Sequence, residues 1–155
     1  METEIIILTA KYLVALPVVV CAIYVLMIPR ATRLRACLVL CVSGIFSYLA
    51  ALIAGAVYYD PRPFVVGNFT PLIAHAPDNG FPSDHTLLAA VLAFFIFYYN
   101  RWLGAALLLV ALAVGVSRVV AGVHHVADIL GSIIIAGIVV TLVYYLLRPR
   151  AQPEQ

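Results

Sequence analysis

Two short stretches of this chain place ionisable side chains at spacings that suit phosphoryl-transfer chemistry. The first is SRVVAGVHHVAD, residues 117–128. A buried Ser-Arg pair such as Ser117-Arg118 binds oxyanions. His124 and Asp128 lie four positions apart and share a helix face if the turn between them is helical. A carboxylate on one ring nitrogen fixes the imidazole tautomer and leaves the other nitrogen free to attack. Asp128 equally suits a capping role at the start of a following helix, and His125 competes with His124 because it too lies within one turn of the carboxylate. The second stretch is FPSDHT, residues 81–86. Ser83 or Asp84 suits a helix N-cap, and a helix start also offers free N–H groups and a positive dipole end to a phosphate. His85 then falls in the first turn, where an imidazolium protonates a leaving oxygen.

The elements that must position these groups are membrane helices. The chain has 155 residues, 65% of them hydrophobic, and only 10% charged, against roughly 25% in soluble domains. A water-soluble globule is excluded. Net charge is +2 and the arginines are dispersed, so nucleic acid is not an expected partner. Apolar runs predict an all-α, polytopic bundle of about five helices, over 5–29, 34–58, 84–100, 102–122 and 128–147, within a single membrane-embedded domain spanning 1–155. Glu2 and Glu4 precede the first run, which reads as a retained span and not a signal peptide. Cys21, Cys37 and Cys41 lie within apolar runs and read as small buried hydrophobes.

Arg30, Arg33, Arg35, Arg101, Arg148 and Arg150 all fall on one side of that bundle, which the positive-inside rule makes cytoplasmic. The amino terminus is then outside and the carboxyl terminus cytoplasmic. Tyr58, Tyr59, Tyr98, Tyr99, Trp102, Tyr144 and Tyr145 stand at expected helix ends, as interfacial aromatics do. The remaining cations, Lys11, Arg62 and Arg118, share the outer side with all four histidines. Arg62 and Lys11 also suit interfacial snorkelling. Arg118 sits inside an apolar run, where a charge costs at least ~2.5 kcal/mol unless it faces a polar cavity. Residues 60–83 hold five of the nine prolines and form a shaped outer loop whose stretch 64–75 lies along or dips into the interface.

Arg62-Pro63, then Pro82-Ser83-Asp84-His85, then Ser117-Arg118 with His124 and Asp128 resemble, in order and spacing, the three motifs of the type 2 phosphatidic-acid phosphatase superfamily of membrane lipid phosphatases. The similarity runs from about residue 57 to 148. Within it AVYYDPRPF, LIAHAPDNGFPSDHT and SRVVAGVHHVADILGS are most similar to the bacitracin-resistance branch, the undecaprenyl-diphosphate phosphatases. The resemblance implies a helical membrane enzyme that cleaves phosphate from a lipid phosphate or diphosphate, with no cofactor and no metal. It implies His124 as nucleophile, Asp128 as its orienting partner and His85 as general acid, with Arg62, Ser83 and Arg118 on the phosphate.

Three positions depart from the family pattern. Gly55 stands where a lysine usually precedes the first motif, and Lys11, about 10 Å into the outer leaflet by helical rise, is a candidate replacement on the phosphate. Asp84 replaces a glycine, as in the bacitracin-resistance branch, and lies next to any bound phosphate, which it repels unless it points away or pairs with a cation. Val126 and Ala127 stand where a proline is common. The expected reaction is hydrolysis of undecaprenyl diphosphate on the extracytoplasmic face. A glycerolipid phosphate is the alternative substrate, since both tails need only an apolar groove. A transport or channel subunit is the alternative class, but it requires polar groups across the bundle, and WLGAALLLVALAVGV in the fourth helix has no ionisable residue.

Overall fold

The computed structural model describes residues 2–148, which form helices, turns and one long loop with no β-strand among them. The helices are α1 (Glu2–Tyr12), α2 (Ala15–Met27), α3 (Arg30–Val57), α4 (Pro63–Val66), α5 (Asp84–Phe97), α6 (Arg101–Val120) and α7 (Val126–Leu147). The first apolar run, expected as one helix, is two, bent by 42° between α1 and α2. Pro17 accounts for the break. It has no N–H to offer the Leu13 carbonyl, and its ring crowds that oxygen. The Leu16 N–H takes the bond instead, at 3.0 Å.

By length and composition α3, α6 and α7 are candidate membrane spans, and the bent α1–α2 pair makes a fourth. The helix expected over 84–100 is shorter. With 14 residues α5 is about 21 Å long, against ~30 Å of hydrocarbon. It turns directly into the 20-residue α6, and Gly104 permits the tight return, since a Cβ there would lie 2.3 Å from Phe97 Cα. The two helices meet at one end of the bundle, where α5 stops and α6 begins. The start of α5 is therefore recessed by about 9 Å relative to the far end of α6. The loop fills that recess.

α5 is the central element, packed by α2, α3, α6 and α7. Ala89, Ala90 and Ala93 bring the neighbouring backbones close, and Phe95 and Ile96 fill the remaining space. Close packing of small residues drives helix association in lipid, where no hydrophobic force acts between helices. Leu109, Ile134 and Ile138 remain exposed on the outer faces, as lipid contact requires. The cysteines are all free, but only Cys21 is buried. Cys37 is half-buried and Cys41 is exposed, contrary to the sequence expectation.

The end of the bundle away from the loop collects the basic residues at the starts of α3 and α6 and the end of α7. Arg35 Nε donates to the Leu147 carbonyl at 2.7 Å, and Arg148 lies 4.8 Å from the Tyr145 ring centre. Tyr98 and Tyr144 stack at 4.2 Å. Arg150 lies outside the described residues.

Candidate active site

The loop between α3 and α5 is held by its own polar side chains. Asn79 Oδ1 accepts from the backbone of Asp60 and Phe81, while its Nδ2 donates to the carbonyls of Gly55 and Tyr58. Farther along, Ile73 is buried with Ala10, Ala121 and Val123, and the Leu72 N–H reaches the Ala121 carbonyl at 3.0 Å. Gly122, at φ +78°, turns the chain after α6 and leaves room for the Phe69 ring, which a Cβ would meet at 2.6 Å. The loop is thus docked over the ends of α1 and α6.

This docking places Arg62 inside the protein. Its Nε donates to Asp78 Oδ1 at 2.7 Å, Nη1 to the Val123 carbonyl at 2.9 Å, and Nη2 to the Asn79 carbonyl at 3.3 Å. Nη1 also lies 3.3 Å from His124 Nε2. On the other side of that ring, His124 Nδ1 is 3.1 Å from Asp128 Oδ2. Asp128 is fully buried and His124 nearly so, at 0% and 3% exposure. An ionised carboxylate only accepts, so Nδ1 carries the proton and Nε2 a lone pair. The spacing argument thus reaches the right contact by a different backbone. His125, the N-cap of α7, is extended, and His124 precedes the helix instead of sitting on it.

Asp128 also caps, because its Oδ2 accepts the His125 N–H at 2.8 Å. Its carbonyl and that of Ser83 both accept from Ser132 Oγ, at 2.7 and 2.9 Å, which ties the start of α5 to the start of α7. Ser83 occupies the N-cap position of α5 but makes no side-chain cap; its buried Oγ accepts from Thr86 Oγ1 at 3.1 Å. The first-turn N–H groups of α5 are left without a side-chain acceptor, a ready place for an anion. His85, half-buried in that turn, lies within the field of Arg118, His124 and Asp84. Arg118, 3% exposed, donates from Nη1 to the Ala10 carbonyl at 3.3 Å, and its buried Nε has no partner. Ser117 Oγ donates to the Val114 carbonyl of its own helix, at 2.7 Å.

The structure therefore gathers Arg62, Ser83, His85, Arg118, His124 and Asp128 at one end of the bundle. Lys11 is exposed in the last turn of α1, one position from Ala10. Gly55 is packed tight, since a Cβ would lie 2.9 Å from the Phe81 carbonyl oxygen. Asp84 is exposed and borders two adjoining cavities. One, of about 250 Å³, is polar and lined by Tyr48, Gly55, Arg62, Asp78, Asn79 and Asp84. The other, of about 380 Å³, runs between α3 and α5 along Gly44, Tyr48, Leu87, Leu88 and Val91.

Sequence reasoning did not assign a role to Asp78, Asn79, His75, Asp60 or Ser132. Asp60 Oδ2 is 3.2 Å from His125 Nδ1, so His125 pairs with Asp60, whereas His124 Nε2 lies against Arg62. Burial, with the Asp128 charge, raises the Asp60 pKa, and His125 partly offsets this. Against the opposing effect of burial, the Arg62 guanidinium holds Asp78 below the usual carboxylate range. Burial lowers the His124 pKa; the Asp128 bond opposes this, while Arg62 and Arg118 push it down further. Asp60, His125 and Asp128 each offer a ligand atom within 4.8 Å of the others. Asp128 Oδ2 is already the acceptor for His124 and His125.

A family model described as the PAP2 superfamily matches residues 33–152. Undecaprenyl-diphosphatase BcrC of Bacillus subtilis is 38% identical over 111 residues, covering 70% of this chain and 58% of that protein. A Bacillus licheniformis protein named bacitracin transport permease protein BcrC is 41% identical over 78 residues, 50% of this chain and 38% of the relative. The chain thus spans less than two thirds of the length of either. The crystal structure of a transmembrane PAP2-type phosphatidylglycerolphosphate phosphatase from Bacillus subtilis superposes with a TM-score of 0.60 at 24% identity. It covers 94% of this chain and 76% of that one, a likeness of fold.

Proposed function

The chain belongs to the PAP2 superfamily, and from that premise we propose that it is a membrane phosphatase that hydrolyses a lipid diphosphate, undecaprenyl diphosphate or a close polyprenyl relative, to the lipid monophosphate and inorganic phosphate. The observation that carries the reading is the line Asp128 Oδ2, His124 Nδ1, His124 Nε2, Arg62 Nη1, with contacts of 3.1 and 3.3 Å at its two ends. A phosphate oxygen that takes over the Arg62 Nη1 contact brings its phosphorus to the Nε2 lone pair. Nε2 attacks in line, the bridging P–O bond breaks, and His85 delivers a proton to the departing lipid monophosphate. Water, deprotonated by the same His85, then cleaves the P–N bond and releases inorganic phosphate. Arg62, Arg118, Ser83 and the start of α5 hold the equatorial oxygens, where charge stabilisation is worth most.

The adjoining cavities suit the amphipathic substrate, with a polar compartment for the headgroup and an apolar groove between α3 and α5 for the first part of the tail. The basic end of the bundle supports an orientation with that end cytoplasmic and the site outside. The carboxyl terminus is then inside, and a fusion reporter there that worked only outside the cell would overturn this sidedness. The function is tested by phosphate release in detergent or vesicles from a panel of polyprenyl diphosphate, polyprenyl monophosphate, phosphatidate and phosphatidylglycerophosphate. Preference for the polyprenyl diphosphate is expected. A preference for the glycerolipids would reassign the tail, and no release from any would remove the phosphatase reading.

A further inference from the structure

His75 stands in the loop, inside the stretch LIAHAPDNGFPSDHT that carries the family resemblance but outside the three motifs that assign roles to residues of the site. Its ring meets that of His124 edge to face, with centroids 6.1 Å apart at 79°. Its Nδ1 is buried and has no hydrogen-bond partner, although the ring as a whole is only half-buried. A polar atom in that position is costly unless a ligand completes it. The loop that presents His75 is anchored on both sides, by Ile73 in the small apolar cluster and by Asp78 on Arg62. The ring is therefore held beside the nucleophile rather than left to solvent.

The charged and titratable groups that act on His75 come from each element around it. They are Arg62 and Asp78 from the loop, Arg118 from α6, and His124 from the α6–α7 link. His85 of α5 lies in the same field. We propose that His75 is a further phosphate-binding residue, whose ring N–H donates to an equatorial oxygen of the phosphoryl group transferred to His124. This deepens the phosphatase reading above and rests on it. With its ring against that of His124, His75 would meet the phosphoryl group where it bonds to that ring, whereas His85 serves the leaving oxygen. His75 also supplies a donor in a site where the position of the missing lysine, Gly55, is closed by the Phe81 carbonyl and Lys11 is exposed.

Burial, then Arg62, Arg118 and His124, depresses the His75 pKa, and Asp78 opposes them. The free enzyme thus holds the ring largely neutral near pH 7, and an arriving phosphate dianion favours its protonation. Binding of a phosphate mimic is then expected to weaken as pH rises, by way of this ring.

The test compares wild type, His75→Gln and His75→Ala, purified in detergent. It measures kcat/KM on polyprenyl diphosphate, inhibition by orthovanadate from pH 6 to 8, and melting temperature. His75→Ala should lower kcat/KM and orthovanadate affinity about 10- to 100-fold, the scale of a hydrogen bond to a charged group. Gln, which keeps a side-chain N–H, should recover part of this while flattening the pH dependence. A well-folded His75→Ala with wild-type kinetics and orthovanadate affinity overturns the inference. So does a loss that tracks a fall in melting temperature and is not recovered by Gln, because it assigns the ring to packing. A wild-type protein that hydrolyses none of the lipids yet binds orthovanadate through His75 removes the phosphatase reading and leaves the phosphate contact standing.

Discussion

Asp128→Asn separates the charge of the carboxylate proposed to orient His124 from its hydrogen bonds. In the native protein Oδ2 accepts both bonds, from His125 N–H at 2.8 Å and His124 Nδ1 at 3.1 Å. Oδ1 is buried with no partner, in the neighbourhood of the Asp60 carboxyl. An asparagine with its oxygen in the Oδ2 place keeps both bonds, and its amide takes the Oδ1 place. The helix cap and the His124 tautomer are retained, so melting temperature should hold or rise. What is lost is the negative charge opposite the imidazolium that forms as Nε2 bonds to phosphorus. A charge-assisted bond is roughly twice as strong as a neutral one, which sets a floor of about 1.5 kcal/mol. Two charges about 4 Å apart at an effective dielectric of about 20 set a ceiling of about 4 kcal/mol. The expected fall in kcat is thus about 10- to 1000-fold. Single-turnover measurement of phosphoenzyme formation, beside steady-state phosphate release and thermal melting, reads it. A kcat within about threefold of wild type in a folded Asp128→Asn protein would refute a charge-stabilised His124.

Arg62→Lys should lower kcat/KM by about 100-fold, because a lysine cannot reproduce a fork that meets Asp78, Val123, Asn79 and His124 at once, and the residual activity in a phosphate-release assay checks it. Gly55→Lys should destabilise the protein or displace residues 79–82, since its Cβ begins 2.9 Å from the Phe81 carbonyl, whereas Lys11→Ala should change kcat/KM by less than about threefold. A drop of tenfold or more for Lys11→Ala would restore it to the phosphate site. The acid limb of kcat/KM should lie below pH 6.5. Burial, only partly offset by Asp128, lowers the His124 pKa, so the attacking nitrogen stays unprotonated as pH falls through the ordinary imidazole range. A limb above pH 6.5 would contradict this.

Much of the site is visible in the chain because its signals are local. Arg118 is conspicuous as a charge in an apolar helix, and the spacing of His124 and Asp128 brings them into contact even though the turn between them is not helical. Other features have no local signal. The groups that hold Arg62, namely Asp78, Asn79 and the Val123 carbonyl, meet it only when the loop docks on the end of α6. His75 reaches the site by the same docking. Hydropathy located the helices but not their limits or faces. In a bilayer the lipid-facing and core-facing sides are both apolar, which is why Cys41 reads like Cys21 in sequence yet is exposed. The break at Pro17 and the recessed start of α5 likewise depend on local backbone bonding and on the polar cap above α5, neither of which changes the length of an apolar run.

The central claim is that His124 carries the phosphoryl group between two half-reactions. Rapid quench of the enzyme with polyprenyl diphosphate labelled in its terminal phosphate, followed by peptide mapping, tests it most directly. The account predicts acid-labile, base-stable label on the peptide bearing His124, absent from His124→Ala and retained in His125→Ala. Label on His125, on His85 or on a serine, or undiminished turnover by His124→Ala, would contradict it.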